Sequence, residues 1–212
     1  MPDTACHAFH FLCLEKRMAR KTRGSEKVFA VPTTLSLFDR NRGNEEILKS
    51  PLQFEIKIIS PQLACELNKK WHSRLPEIHW SNIVRNTHYV CFGAYFSGKW
   101  YAVAIWSSPV AGNRLKDARH TLELRRFAIC KDAPKNTASR MMAVMIKVIR
   151  RKFPDIKKLI SYQDTEVHRG TIYKASNWTI GSYVKNKSWS TGKRKRNKEQ
   201  STADKIRWEY YL

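Results

Sequence analysis

The sequence predicts a mixed α/β fold: a mostly antiparallel sheet with one central crossover helix and flanking helices. Three observations predict it. Short runs alternate apolar and polar side chains with the period of two that half-buried strands require. A Ser97-Gly98 pair separates two such runs, 88–96 and 99–108, which is a hairpin signal. A helix with an apolar stripe, 138–153, separates the strand-like runs 121–130 and 156–164. Two strands of one sheet joined through a helix are locally parallel, and the rest of the sheet is then antiparallel.

The elements follow in order. In 52–60, Phe54, Ile56 and Ile58 alternate with Glu55 and Lys57, so the run reads as a strand. Pro61 stands where a helix can start, and Leu63, Leu67 and Trp71 recur at fourfold spacing over 61–72. The hairpin strands 88–96 and 99–108 come next, then the strand 121–130. Asn136-Thr137 offers an N-cap for the helix 138–153, whose last turn is basic and which Pro154 ends. A strand over 156–164, a short helix within 168–178, and strands over 179–184 and 205–212 complete the series.

The chain has 212 residues, 40 Lys or Arg against 18 Asp or Glu, and a formal net charge of +22. One domain of ordinary size is the default, and a chain this long buries about 70% of its unfolded surface without disulfide or metal support. Residues 1–50 read as an N-terminal extension, with a basic arm over 15–27, and residues 51–212 as the main domain with a basic loop at 185–204. No run of about 18 apolar residues exists, so no membrane span is expected. No apolar signal segment opens the chain, and five scattered cysteines suit a reducing cytoplasm. The positive surplus favours a polyanion, nucleic acid before anionic membrane.

Five groups of residues could carry chemistry. Cys6, His7, His10 and Cys13 invite a zinc reading, but four ligands within eight residues rarely close a tetrahedron, and an apolar patch on an extension fits as well. The turn from 130 to 142 ends in a helix N-terminus, whose free N–H groups suit a phosphate or only a cap; Lys135 and Arg140 add charge, and Ala138 and Ser139 are small. Asp164, just past a strand end, stands close in sequence to His168, Gly170 and Tyr173, so acid/base groups converge. Read locally, Asp164 suits a turn cap and Tyr173 a core position equally well. His72 ends the first helix, and Trp80 follows in a loop able to stack a base. In 122–127, Glu123 and Arg125 share one strand face and Leu124 and Arg126 the other; adjacent arginines inside a sheet need a carboxylate or an anion.

Three of these segments, LELRRFAI (122–129), NTASRMM (136–142) and SYQDTEVHRGTIYKASNW (161–178), resemble the phage Mom family of DNA-modifying proteins. WHSRLP (71–76) is similar to that family's His-containing motif after the first helix. The resemblance covers about 54–212 and leaves 1–50 aside. It implies a fold like that of the GNAT acetyltransferases, acetyl-CoA as cofactor, and methylcarbamoylation of the exocyclic amine of adenine in double-stranded DNA, which protects phage DNA from restriction. The cell compartment implied is the cytoplasm of a host carrying a phage or prophage.

By the same resemblance, His72, Asp164 and Tyr173 fall at the reactive centre or a proposed iron, and Arg126 and Ser139 at the cofactor or active centre. The residues' own reading adds His168 to the reactive centre, and Asn136, Thr137, Ala138 and Arg140 at the helix start to the cofactor. One departure stands out: 130–142 lacks the glycine-rich pyrophosphate loop usual in GNAT enzymes. The residues themselves add a DNA grip. The tail 185–207 carries nine Lys or Arg against Glu199 and Asp204, so Lys193, Arg194, Lys195 and Arg196 are expected on the backbone. A base inside a duplex must be extruded before it can react, with Trp80 or Trp189 stacking beside it. Two other readings remain open: a GNAT N-acetyltransferase acting on another amine, and a non-catalytic basic DNA-binding protein.

Overall fold

The computed structural model describes residues 47–72, 75, 77–109, 118–185 and 203–212. The Cys6–Cys13 cluster, the basic arm, Trp189 and Lys193, Arg194, Lys195 and Arg196 lie outside the described residues. No helix among the described residues is long and apolar enough to cross a membrane.

Among the described residues seven strands form one sheet in the order β1-β2-β3-β4-β5-β7-β6. They are β1 (Glu55–Ile59), β2 (Tyr89–Phe96), β3 (Lys99–Ser107), β4 (Thr121–Ile129), β5 (Lys158–Asp164), β6 (Thr179–Val184) and β7 (Lys205–Tyr211). Among the described residues four α-helices accompany them: α1 (Pro61–Trp71), α2 (Ser81–Val84), α3 (Thr137–Lys152) and α4 (Thr171–Lys174). Only β4 and β5 pair in parallel, joined through α3 as the sequence predicts; every other pairing is antiparallel.

Local chemistry explains the boundaries. Ser60 caps α1 by accepting from Leu63 N–H at 3.2 Å, with Pro61 in the first turn. The β2–β3 hairpin turns on Ser97 and Gly98, at φ 42° and 81°. Two consecutive positive φ values match the twist of the flanking strands.

Four expectations are corrected. The run 52–60 is not strand throughout, because Pro51–Gln53 forms a 3-10 turn held by a capping box. Ser50 Oγ accepts from Leu52 N–H, and Gln53 Oε1 accepts from Ser50 N–H. The last strand of the parallel pair begins at Lys158 instead of 156, since Lys157 and Lys158 N–H both donate to His120 O. Asn136 does not cap α3 with its side chain; it sits in the left-handed region at φ 66°. The four-residue helix α2 is also present, too short to leave a periodic signal.

The sheet divides the core. On one face α3 lays Met141, Met142, Met145, Ile146 and Ile149 over Trp106, Leu122, Leu124 and Leu159, with Tyr173, Trp178 and Trp208 closing the far side. On the other face α1 and α2 bury Ala64, Leu67 and Ile83 against Cys91, Val103, Ile105 and Ala128. At about 25 cal/mol per Å² of apolar surface, these two clusters dominate the stability.

Candidate active site where two parallel strands part

The parallel pairing of β4 and β5 is short. It runs from Thr121↔Lys158 to Leu124↔Ser161 and stops. Beyond that point β4 stays on β3 and β5 stays on β7. The strands therefore part at their C-terminal ends, where open α/β sheets place their ligands.

A bulge sits at the same level. The β3–β4 register shifts between Ile105↔Arg126 and Trp106↔Leu124, so Arg125 is the extra residue. The bulge reverses the alternation of β4. Leu122 and Leu124 pack on the α3 face, and so do Phe127 and Ile129, while Ala128 packs on the α1 face. Arg126 is thus turned onto the face of Glu123, not opposite it as strict alternation predicts. Its electrostatic neighbours agree: Arg125, Glu123 and, on α1, Cys65. Burial first, and the Arg125 charge second, bring the Arg126 guanidinium down to about 10. Arg125 reaches Asn82 O and Ser107 Oγ, both at 3.5 Å, and ties the α2 segment to the bulge.

His72 ends α1, its N–H donating to Asn68 O at 2.8 Å. Burial lowers its pKa, and the Arg126 and His168 charges lower it further. The imidazole is neutral near pH 7 and holds a lone pair able to accept a proton. His72, Arg126 and His168 are thereby brought within one electrostatic cluster, although they come from α1, β4 and the loop after β5.

The loop carrying His168 is held on several sides. Asp164 Oδ1 accepts from Glu166 N–H at 3.0 Å, and Asp164 O accepts from His168 N–H at 3.0 Å. Asp164 therefore caps the turn that carries the histidine. Gln163, buried in β5, accepts from Trp208 Nε1–H at 2.7 Å and donates through Nε2 to His168 O. Gly170 follows at φ 71°, and a Cβ there would lie 2.5 Å from Gln163 Oε1. Neither Gln163 nor the Arg125 bulge was singled out from sequence, because a buried amide and an extra strand residue leave no periodic trace.

Tyr173 is 7% exposed and lies at the foot of the parting. Its hydroxyl shares a 2.8 Å hydrogen bond with Ser161, the last β5 residue paired to β4. Its ring stacks on Trp208 at 5.3 Å and meets Trp178 edge-on at 5.7 Å. Burial raises its pKa, so the phenol stays protonated.

The structure gives the iron expectation no support. Among the described residues no group of three or more His, Cys, Asp or Glu could hold a metal ion. The Tyr173 hydroxyl is engaged by Ser161 and the Asp164 carboxylate by Glu166 N–H.

The cofactor segment opens α3. Thr137 is buried and donates to Pro134 O at 2.7 Å, and Ser139 Oγ donates to Asn136 O at 3.3 Å. No side chain caps the helix. Arg140 Nε is buried without a hydrogen-bond partner. An uncapped helix N-terminus beside an unsatisfied guanidinium N–H is an environment that favours an anion. Trp80, 39% exposed, stands at the start of α2 with its ring 5.4 Å from that of His79.

This fold is that of the GNAT acetyltransferases. A GNAT-family acetyltransferase from Streptococcus pneumoniae superposes with a TM-score of 0.54 at 13% identity, covering 76% of this chain and 100% of that one. The ribosomal-protein-alanine N-acetyltransferase of Brucella melitensis gives 0.54 at 14%, covering 74% and 99%. A GNAT-family acetyltransferase from Elizabethkingia anophelis, solved with acetyl-CoA bound, gives 0.50 at 13%, covering 76% and 99%.

Within that fold the sequence is more specific. The Mom protein family profile matches residues 53–210, and the chain belongs to that family. It is 30% identical over 152 residues to the methylcarbamoylase mom of Escherichia phage Mu. The match covers 65% of this chain and 63% of that relative.

Proposed function

We propose that this protein is a DNA-modifying enzyme that uses acetyl-CoA to methylcarbamoylate the exocyclic amine of adenine in duplex DNA. The observation that carries the reading is the parting of β4 and β5 beyond Leu124 and Ser161, with Arg126 on the α1 face of β4 and the His168 loop following β5. A reacting amine must lose a proton as its new bond forms, and the neutral His72 imidazole is suited to take it. Arg126 supplies fixed positive charge where negative charge develops on a carbonyl oxygen. The Tyr173 hydroxyl, kept protonated by burial, is a donor at the same level. Asp164 holds the His168 loop by capping its turn.

The residues present suit acetyl-CoA. The uncapped start of α3 at Ala138 and Ser139, with Arg140 Nε unsatisfied, accepts a pyrophosphate even without a glycine-rich loop. When bound, acetyl-CoA supplies a two-carbon acyl unit. The amide nitrogen of a methylcarbamoyl group is absent from acetyl-CoA, and inserting it between methyl and carbonyl is a two-electron oxidation, so the reaction also requires a nitrogen donor at the hydroxylamine level, or ammonia together with a two-electron oxidant. Plain acyl transfer would leave an acetamide on the base instead, and the two products differ in mass.

The duplex must give up its base, and exposed Trp80 suits stacking on it; the Arg125–Asn82 contact anchors that loop to the reactive centre. Lys193, Arg194, Lys195 and Arg196 grip the phosphates in this reading, as Trp189 does the base. A net charge of +22 supports a polyanionic substrate. A second reading, N-acetylation of an amine outside duplex DNA, draws on the GNAT neighbours alone. Nucleoside mass spectrometry of genomic DNA from cells expressing the chain separates the two, with Asp164→Ala as control. An adenosine adduct with the wild type only supports DNA modification. Unmodified nucleosides beside well-expressed, folded protein move the weight to the second reading.

A further inference from the structure

We propose that the corner of the molecule where α3 ends is a second docking surface for the phosphate backbone of duplex DNA, separate from the reactive centre. The proposal rests on the DNA-directed reading above for the identity of the polyanion, but not for any step of chemistry.

The surface is built from three segments. α3 contains no acidic residue, and its C-terminal half exposes Lys147, Arg150, Arg151 and Lys152. Lys147 precedes Arg150 and Arg151 by three and four residues, so the three share one helix face, a spacing at which like charges destabilise a helix. The helix dipole favours cations in the last turn, which accounts for Arg150, Arg151 and Lys152 but not for Lys147.

More positive charge is brought to the same corner from elsewhere. After Pro154 the chain turns, and the N–H groups of Lys157 and Lys158 both donate to His120 O, at 2.9 and 3.0 Å. Arg119 and Lys157 therefore flank the helix end. Asp155 is the one acidic side chain within 119–120 and 147–158, and its backbone carbonyl meets His120 Nδ1 at 3.0 Å.

Among the described residues none of these cations is in an ion pair; the salt bridges lie elsewhere. Lys157 Nζ donates to Pro154 O at 3.1 Å, and Lys152 Nζ lies 5.7 Å from the centre of the Phe153 ring. A solvated face gains solubility from mixed signs and has no need of a single-sign cluster. A polyanion relieves the repulsion directly.

The chemistry of the corner selects among polyanions. Of the large apolar side chains exposed among the described residues, Tyr211 borders the corner opposite Lys158, its hydroxyl donating to Glu209 Oε2 at 3.1 Å, and none lies within 119–120 and 147–158. A lipid surface is held by inserted apolar side chains as well as charge, and single-stranded nucleic acid by stacked aromatics. This surface offers a tyrosine tied to Glu209 beside a cluster of cations, with no inserted apolar group, and the cations are what a duplex backbone needs. It is also remote from the chemistry. The 16 residues of α3 set its two ends about 24 Å apart, and β4 and β5 run from this corner toward their parting.

The test uses the full chain carrying Lys147→Gln, Arg150→Gln and Arg151→Gln together. All three side chains are exposed, and the thermal shift produced by acetyl-CoA checks that fold and cofactor site are intact. Affinity for a duplex about three helical turns long is measured across a salt series. The expected result is at least tenfold weaker binding at low salt. The slope of log K against log salt should fall by about two to three, near 0.9 for each phosphate no longer neutralised. Unchanged affinity and slope overturn the proposal. So does a wild-type chain that binds no duplex, or a loss confined to single-stranded RNA. If acetyl-CoA shifts neither protein, the cofactor reading fails while the duplex titration still decides the surface.

Discussion

Gly170→Ala tests whether the His168 loop is as tightly built as its contacts imply. The residue has φ 71°, and an added Cβ would meet Gln163 Oε1 at 2.5 Å and Trp208 Cζ2 at 2.8 Å. A side chain in the left-handed region costs about 1–2 kcal/mol. Forcing atoms into a packed site costs about 1–3 kcal/mol more. Gln163 cannot yield freely, since it bridges Trp208 Nε1 and His168 O. The sum is about 3 kcal/mol, and for a protein of this size it lowers Tm by roughly 6–12 °C.

Gly98→Ala is the internal control. Its φ is 81° but nothing lies within 4 Å of the added Cβ, so only the backbone cost of about 1–2 kcal/mol applies. Thermal unfolding of both variants, followed by circular dichroism, isolates the steric part as their difference. Equal losses of Tm would overturn this prediction, because they would mean that Gln163 and Trp208 move aside at no cost. Loss of adenine modification in Gly170→Ala at a temperature where it stays folded, with Gly98→Ala active, would tie the loop's geometry to the reaction.

Three further outcomes are expected. Tyr173→Phe strands the buried Ser161 hydroxyl and should cost about 1–2 kcal/mol in denaturant unfolding; an adduct yield down by tenfold or more in the still-folded variant would assign the phenol a part in the chemistry, and an unchanged yield would confine it to the core. His72 has a folded pKa below the ordinary 6.5, so the unfolded chain binds the extra proton first. Its contribution to stability is then whole above 6.5 and is lost as the pH falls through the lowered value, and His72→Gln should flatten that part of the curve; a parallel, merely offset curve would contradict the assignment. Asp164→Asn keeps an oxygen to accept from Glu166 N–H, whereas Asp164→Ala removes it at about 1 kcal/mol; a Tm loss in Ala alone, with activity lost in both, separates the charge from the cap.

The sheet was legible from short apolar or alternating runs set off by turn residues, although β2 and β3 are buried on both faces. The alternation 54–58 found β1 although Phe54 precedes it and Ile58 is exposed, and the run 99–108 marks β3 almost to the residue. The parallel pair followed from one helix between two strands. The placement of Arg126 was not legible, because an extra residue at Arg125 is a property of the pairing with β3, not of β4 itself. Asp164, His168 and Tyr173 do lie in one region, since they flank a single strand end. Their individual environments did not follow from spacing. Tyr173 is drawn into the core by Trp208 and Ser161, and the amide of Gln163, beside Asp164 in sequence, faces the opposite side of β5 toward Trp208. The uncapped start of α3 also required the structure, since Asn136 is ordinarily a good cap and here takes up a left-handed turn instead.

Following the atoms decides whether the proposed reaction takes place. Purified protein is incubated with duplex DNA, isotope-labelled acetyl-CoA and a nitrogen source such as a cell extract, and the digested nucleosides are read by mass spectrometry. The expected result is labelled carbon on adenosine, as a methylcarbamoyl adduct, with the wild type and not with His72→Gln. Label found on a small amine or a protein, with every nucleoside unmodified, would contradict the proposed function.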